Sequence, residues 1–151
     1  MHLKNKIRLA VLAAVLLLGR AAAGDGKLGL GIILGHPTGI SGKYWLSQTT
    51  AVDAALAYSL MGRGHIYLHA DHLWHFSEII DIEQNILAYI GIGPSVKVGD
   101  HDGLLRARVP LGIELLLGGT GDIFVELVPV LELIPATDVD FDAGIGARFF
   151  F

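Results

Sequence analysis

A two-residue hydrophobic period, sustained along most of the chain, confines this sequence to strands with one apolar and one polar face. The last eleven residues show it most plainly. Phe141, Ala143, Ile145, Ala147, Phe149 and Phe151 are apolar; the interleaved Asp142, Gly144, Gly146 and Arg148 are small or charged, with Phe150 as the exception. Alternation at that period sends successive side chains to opposite faces of a strand. Seven further segments repeat it, over residues 27–35, 40–47, 51–60, 65–76, 86–98, 106–115 and 122–133. In the fourth, Ile66, Leu68, Ala70, Trp74 and Phe76 oppose His65, Tyr67, His69, Asp71 and His75, and only His72 falls on the wrong face. Turn-forming runs such as His36-Pro37-Thr38-Gly39 and Gly118-Gly119-Thr120-Gly121 separate the segments. The polar connection from Ser77 to Asn85 leaves room for a short helical turn.

Short, evenly spaced strands predict an all-β sandwich or barrel. Alternation alone does not say which face is inside. In a soluble barrel the apolar face points inward and the charges meet water. Two features favour the reverse. The more polar face is rich in glycine and bulky aromatics, which suits a filled lumen. On the other face, aromatic residues fall near segment ends, as interfacial girdles do, with Tyr58 and Phe141 at one rim and Trp74, Phe76, Phe149 and Phe151 at the other. The expected fold is an all-β, eight-stranded, antiparallel up-and-down transmembrane β-barrel, preceded by a cleaved signal peptide. Pro94, Pro110 and Pro129 lie inside expected strands. Proline cannot donate to a ladder, so bulges or shifted strand limits are expected there.

The N-terminus has the marks of export. Lys4, Lys6 and Arg8 precede the apolar run Leu9 to Gly19, and Ala21-Ala22-Ala23 supplies a small-residue cleavage pattern. The run is too short for a comfortable span of about 20 residues. Residues 1–23 therefore read as a secretory signal peptide and 24–151 as one barrel domain. Cleavage removes four basic residues and no acid, taking the formal charge from −4 to −8. That balance argues against a nucleic-acid partner, which requires a basic footprint. The chain has no cysteine, so disulfide and thiolate chemistry are excluded.

Over its mature length the sequence resembles the small eight-stranded outer-membrane barrels, of the OmpA and OmpX kind in architecture. The segments Gly29-Leu30-Gly31-Ile32-Ile33-Leu34-Gly35, Pro37 to Leu46, Leu68 to His75 and Pro129 to Pro135 point more narrowly. They are similar to a family of short barrels of unknown function, found in spirochaetes and other double-membraned bacteria. The terminal strand, with Phe141, Ile145, Phe149 and Phe151 on its apolar face, looks like the closing strand that barrel-assembly machinery reads. The resemblance implies the bacterial outer membrane as location and outer-membrane lipid as surroundings; it carries no catalytic residues.

Under this reading the inward polar set comprises Lys43, Asp53, His69, Asp71, Lys97, Arg106, Arg108, Glu114, Glu126, Glu132, Asp142 and Arg148. Eight strands enclose a lumen just wide enough for side chains to fill. Buried charges must pair, so a structural ionic network is expected, in preference to an ion path. His69, Asp71 and His75 share one strand face, but same-face neighbours on a strand are about 7 Å apart. One strand cannot close a metal site, and Glu126 lies two or more strands away; no metal and no cofactor are expected. The glycine-rich stretches lack the following helix that a phosphate-binding loop requires. Instead, glycines on the inward parity should leave room for Trp45 and Phe124. A lipid hydrolase would need Ser, His and an acid together on the lipid-facing wall. Here His72 faces outward, whereas Ser47, Asp53 and Ser59 are expected inward, so no catalytic residues are assigned. The function expected is that of a small, monomeric barrel with a plugged polar lumen and short loops, in a structural or surface-interaction role. The alternatives are a soluble periplasmic lipocalin-like barrel binding an apolar ligand, and a lipid-modifying outer-membrane enzyme.

Overall fold

The computed structural model describes residues 26–59, 65–76, 85–99, 103–118 and 120–151. The segment assigned to the signal peptide and nearly all of the 77–85 connection lie outside the described residues. Nine strands follow in chain order: β1 Leu28–Gly35, β2 Gly39–Trp45, β3 Thr50–Ser59, β4 His65–Phe76, β5 Ile86–Val98, β6 Gly103–Arg108, β7 Leu111–Leu116, β8 Gly121–Ile134 and β9 Asp138–Phe150. Each pairs antiparallel with its sequence neighbour, except that β6 and β7 follow each other end to end between β5 and β8. The sheet closes where β1 pairs with β9, from Gly29↔Phe150 to Gly35↔Gly144. The result is a barrel with eight walls, as the alternation predicts.

The sixth wall corrects the expectation of an unbroken strand, and the prolines explain it. The β5–β6 and β5–β7 pairings continue one register, from Val98↔Gly103 to Ile86↔Leu115. Only Val109 and Pro110 drop out. Pro110 cannot donate to β5, but its carbonyl still accepts from the Gly91 N–H at 2.9 Å. On the other side Pro129 cannot donate to Val109, but its carbonyl accepts the Val109 N–H at 3.0 Å. Two successive residues thus lose one ladder bond each, to opposite neighbours. Pro94 opens a similar gap in the β4–β5 ladder, between His69↔Ser95 and His72↔Ile92. None of the three changes the register. The one register shift recorded among the described strands is at Leu105/Arg106, away from all of them. The expected proline bulges are therefore absent from the described ladders, because a proline that keeps its carbonyl in use needs no extra residue.

The walls are apolar outside. Ile32, Leu68, Ile92, Ile113, Val125, Leu127 and Ile145 are each half-exposed on the exterior, as are many more Leu, Ile and Val residues. Phe141, Phe149 and Phe151 of β9 and its end also face outward. Tyr44, Trp74, Phe76, Phe149 and Phe151 gather at the end where β1 begins and β9 ends, called the terminal end below, and Tyr58 and Phe141 at the opposite end. His72 does stand on this outer wall, edge-on to the Trp74 ring at 4.5 Å. The interior contains a small apolar belt of Ile33, Ala55, Leu73, Tyr89 and Phe124. Close strand approach needs glycine in places. A Cβ on Gly31 would strike the Ala147 carbonyl oxygen, and one on Gly146 would meet the Phe124 ring. Phe124 thus uses glycine space as expected, whereas Trp45 lies against His75 and Lys43 instead.

Candidate functional site in the barrel interior

Inward parity brings charged side chains from seven strands, β2, β3, β4, β6, β7, β8 and β9, into one buried interior. Towards the terminal end, Glu114 of β7 is the hub. Its Oε1 accepts from Lys43 Nζ at 2.5 Å and from Arg148 Nη2 at 3.4 Å. Arg148 also grips Asp122 through two parallel bonds, Nε to Oδ1 at 3.0 Å and Nη2 to Oδ2 at 2.8 Å. Such bidentate pairs are the strong form of the guanidinium–carboxylate contact. Aromatic faces complete this region: Lys43 Nζ sits 4.1 Å from the centre of the Trp45 ring, and the Arg148 guanidinium 4.1 Å from that of Phe124. Lys43 also donates to His75 Nε2 at 2.8 Å. An ammonium has only donors, so Nε2 accepts and the ring carries its proton on Nδ1. That proton points at the Thr49 carbonyl, 3.1 Å away.

The second group is centred on Arg108 of β6. Its Nη1 donates to Tyr67 Oη at 2.5 Å and to His69 Nδ1 at 2.7 Å, and Nη2 donates to Glu126 Oε1 at 3.2 Å. Tyr89 donates its hydroxyl proton to Glu126 Oε2 at 2.9 Å. Arg108 Nε approaches Asp71 Oδ2 at 2.9 Å, but the two atoms are not aligned as a hydrogen bond. Because Arg108 can only donate, His69 Nδ1 accepts and the proton lies on Nε2, facing Asp71 Oδ2 at 3.6 Å. Asp53 stands directly opposite Asp71 in the β3–β4 register. Nearer the other end, Arg106 Nη2 donates to Asp142 Oδ1 at 3.2 Å, with Asp140 Oδ2 at 3.7 Å.

Of the expected lumen residues, Lys43, Asp53, His69, Asp71, Arg106, Arg108, Glu114, Glu126, Asp142 and Arg148 are all buried. Lys97 is the correction. It keeps the inward parity, but it lies one residue from the end of β5, where the wall stops, and is exposed. Glu132 is half-buried, and Ser47 is exposed in the turn after β2, where its hydroxyl contacts Thr50 Oγ1 at 2.7 Å. Sequence reasoning missed Asp122, fully buried, along with the roles of Tyr67 and Tyr89 as hydroxyl partners. Asp122 has the same parity as Phe124 and Glu126, so the signal was present at the strand's first residues.

Vestibules open at both ends. One of about 570 Å³, away from the terminal end, is lined by Tyr58, His65, Tyr67, Lys97, Arg106 and Asp142 among others. The other, of about 480 Å³, is lined by Lys27, Trp45, Gln48 and Leu116 among others. Between them lie the two ionic groups. With charges inside and aliphatic side chains outside, the polarity is the reverse of what a soluble barrel requires.

Solved structures carry the same architecture. The chain is similar to the N-terminal β-barrel domain of Pseudomonas aeruginosa OprF, with a TM-score of 0.62 at 13% identity over 83% of this chain and 96% of that one. The two share the fold of a closed antiparallel β-barrel. No family model matches the chain. No curated protein matches it either. At 13% identity the OprF domain speaks for the fold alone.

Proposed function

We propose that this protein is a small barrel of the bacterial outer membrane, with a plugged polar lumen and short loops, that serves a structural or surface-interaction role without catalysis. The observation that carries this reading is the inverted polarity. Lys43, Asp71, Arg108, Glu114, Asp122 and Arg148 are buried inside a closed ring, while Leu, Ile, Val and aromatic side chains cover its outside. Only a lipid environment makes that exterior favourable, and only a closed barrel satisfies every backbone group within it. Of the described connections, 36–38 and 135–137 are three residues each and 46–49 is four, which supports binding through a compact surface and not through long receptor loops. The cross-linked interior between the vestibules supports a plug over an open porin channel. The apolar face of β9, with Phe141, Ile145, Phe149 and Phe151, is the surface offered to assembly machinery. Its surroundings are outer-membrane lipid, it works as a monomer, and its relatives are the short barrels of spirochaetes and similar bacteria.

The test is fractionation of expressing cells, followed by gel analysis with and without boiling. An outer-membrane band that shifts mobility on heating is expected. Soluble, unshifted periplasmic protein would defeat the reading. The lipid-modifying alternative has little support at His72, the outward histidine, whose ring neighbour is Trp74. Lipid A of unchanged mass in cells with and without the protein is the expected result.

A further inference from the structure

The interior does not balance its charge. Among the described residues, the buried set holds six carboxylates, Asp53, Asp71, Glu114, Asp122, Glu126 and Asp142, against four cations, Lys43, Arg106, Arg108 and Arg148. Four of the acids have a cation as hydrogen-bond partner: Glu114 has Lys43, Asp122 has Arg148, Glu126 has Arg108 and Asp142 has Arg106. The two left over are Asp53 and Asp71. Lys43 lies directly opposite Asp53 in the ladder, but its ammonium turns to Glu114. The nearest contact of Asp53 with a cation is Arg148 Nη1, at 4.0 Å from Oδ2. Oδ1 of Asp53 and Oδ1 of Asp71 are both buried without a hydrogen-bond partner among the described residues. Arg108 Nε touches Asp71 Oδ2 at 2.9 Å without a hydrogen bond, so two buried carboxylates that no cation hydrogen-bonds face each other on neighbouring strands, a costly arrangement.

We propose that Asp53, Asp71 and His69 form a buried binding site for one divalent metal cation. A ligand atom from each lies within 4.8 Å of the other two. The obstacle to a site on β4 alone was the spacing of its residues along one strand; β3 removes it by presenting Asp53 opposite Asp71. Two carboxylates and one imidazole suit Zn²⁺ or Mn²⁺, and a double positive charge cancels the two leftover acids. The position next to Asp71 Oδ1 is held open by Gly93, where a Cβ would collide with that oxygen. For His69 Nε2 to bind a cation, the ring proton must move to Nδ1. The Arg108 Nη1 bond to Nδ1 is then lost, and Tyr67 Oη, 3.0 Å away, accepts the new Nδ1–H. A hydrogen-bond acceptor behind a ligating histidine is the usual way its tautomer is fixed. Arg108 keeps Tyr67 and Glu126 as partners. Tyr67, the partner of His69, also lines the 570 Å³ vestibule, so one side chain separates that vestibule from His69. Retained guanidinium charge beside the cation makes this a weak site.

The experiment uses the full mature chain without a histidine tag, folded in detergent and first treated with chelator; the heat-dependent gel shift confirms a folded barrel in every sample. Thermal unfolding is followed with Zn²⁺ and with Mn²⁺, and bound Mn²⁺ is counted by its paramagnetic resonance. One Mn²⁺ per chain, displaced by Zn²⁺, and an unfolding temperature raised by several degrees are expected. Asp53→Asn should fold and lose both signals; Asp71→Asn should do the same where it folds. No bound Mn²⁺ on the folded native chain overturns the proposal and leaves the two acids to be neutralised by protons. Binding that survives in Asp53→Asn also overturns it, since histidines outside the cluster, such as the exposed His36 and the half-buried His65, would then be the ligands.

Discussion

The two ionic groups share one lumen and close their charges differently. Around Glu114, Lys43 and Arg148 meet acids through aligned bonds, and Trp45 and Phe124 cover the cations with aromatic faces. Around Arg108, one guanidinium serves Tyr67, His69 and Glu126 and touches Asp71 out of alignment. The first group has the character of a structural lock. Both groups keep a buried acceptor without a hydrogen bond, Glu114 Oε2 in the first and Asp53 Oδ1 and both Asp71 oxygens in the second, but only in the second do these acceptors belong to acids that no cation hydrogen-bonds, a pattern a fold tolerates where something else arrives. The lesson is that burying charge and using charge are separable in one small barrel, and that the count of partners tells them apart.

Substitutions can break this contrast. The largest effect is expected at Arg148→Met, which strands Asp122 and removes one of the two cations on Glu114. Losing one partner of a buried ion pair costs about 3–5 kcal/mol, read as a lower urea midpoint for the gel-shifted form in detergent. Glu114→Gln is next, at about 2–3 kcal/mol, because the amide keeps one acceptor while Lys43 and Arg148 lose a charged one. Asp53→Asn in the presence of chelator should change stability by no more than about 1 kcal/mol, and upward, since it removes a carboxylate that no cation hydrogen-bonds. A loss as large as that of Glu114→Gln would erase the distinction between the two groups. Arg106→Ala should cost about 1 kcal/mol, because Asp140 is exposed and Asp142, though buried, lines the open vestibule. Lys97→Ala should stay within about 0.5 kcal/mol.

Parity was readable from the residues, and register was not. Leu68, Ala70 and Trp74 outside with His69, Asp71 and His75 inside follow from a period of two alone. So does the outward face of β9. Which residues meet across the ladders depends on turn geometry and on where each wall begins. That is why parity placed Asp53 in the inward polar set but not opposite Asp71. Lys97 shows a second limit: parity aims a side chain inward, but at the end of β5 there is no wall left to bury it. Pro110 shows a third. The residue type announced a lost bond correctly, but only the positions of Gly91 and Val109 reveal that its neighbours absorb the loss without a bulge.

The β1–β9 seam sets an order of events. Gly29 pairs with Phe150, so β1, the first described strand, waits for the end of β9 before its free side is covered. Contacts of such sequence separation form slowly, and until they form β1 and β9 both present open, apolar edges. A shortened chain lacking residues 138–151 would keep β1 and β8 unpaired on one side each, however well its remaining strands were made. The pairing of β1 with β9 is thus the step that removes both free edges at once, and every other ladder can be complete while the barrel still stands open.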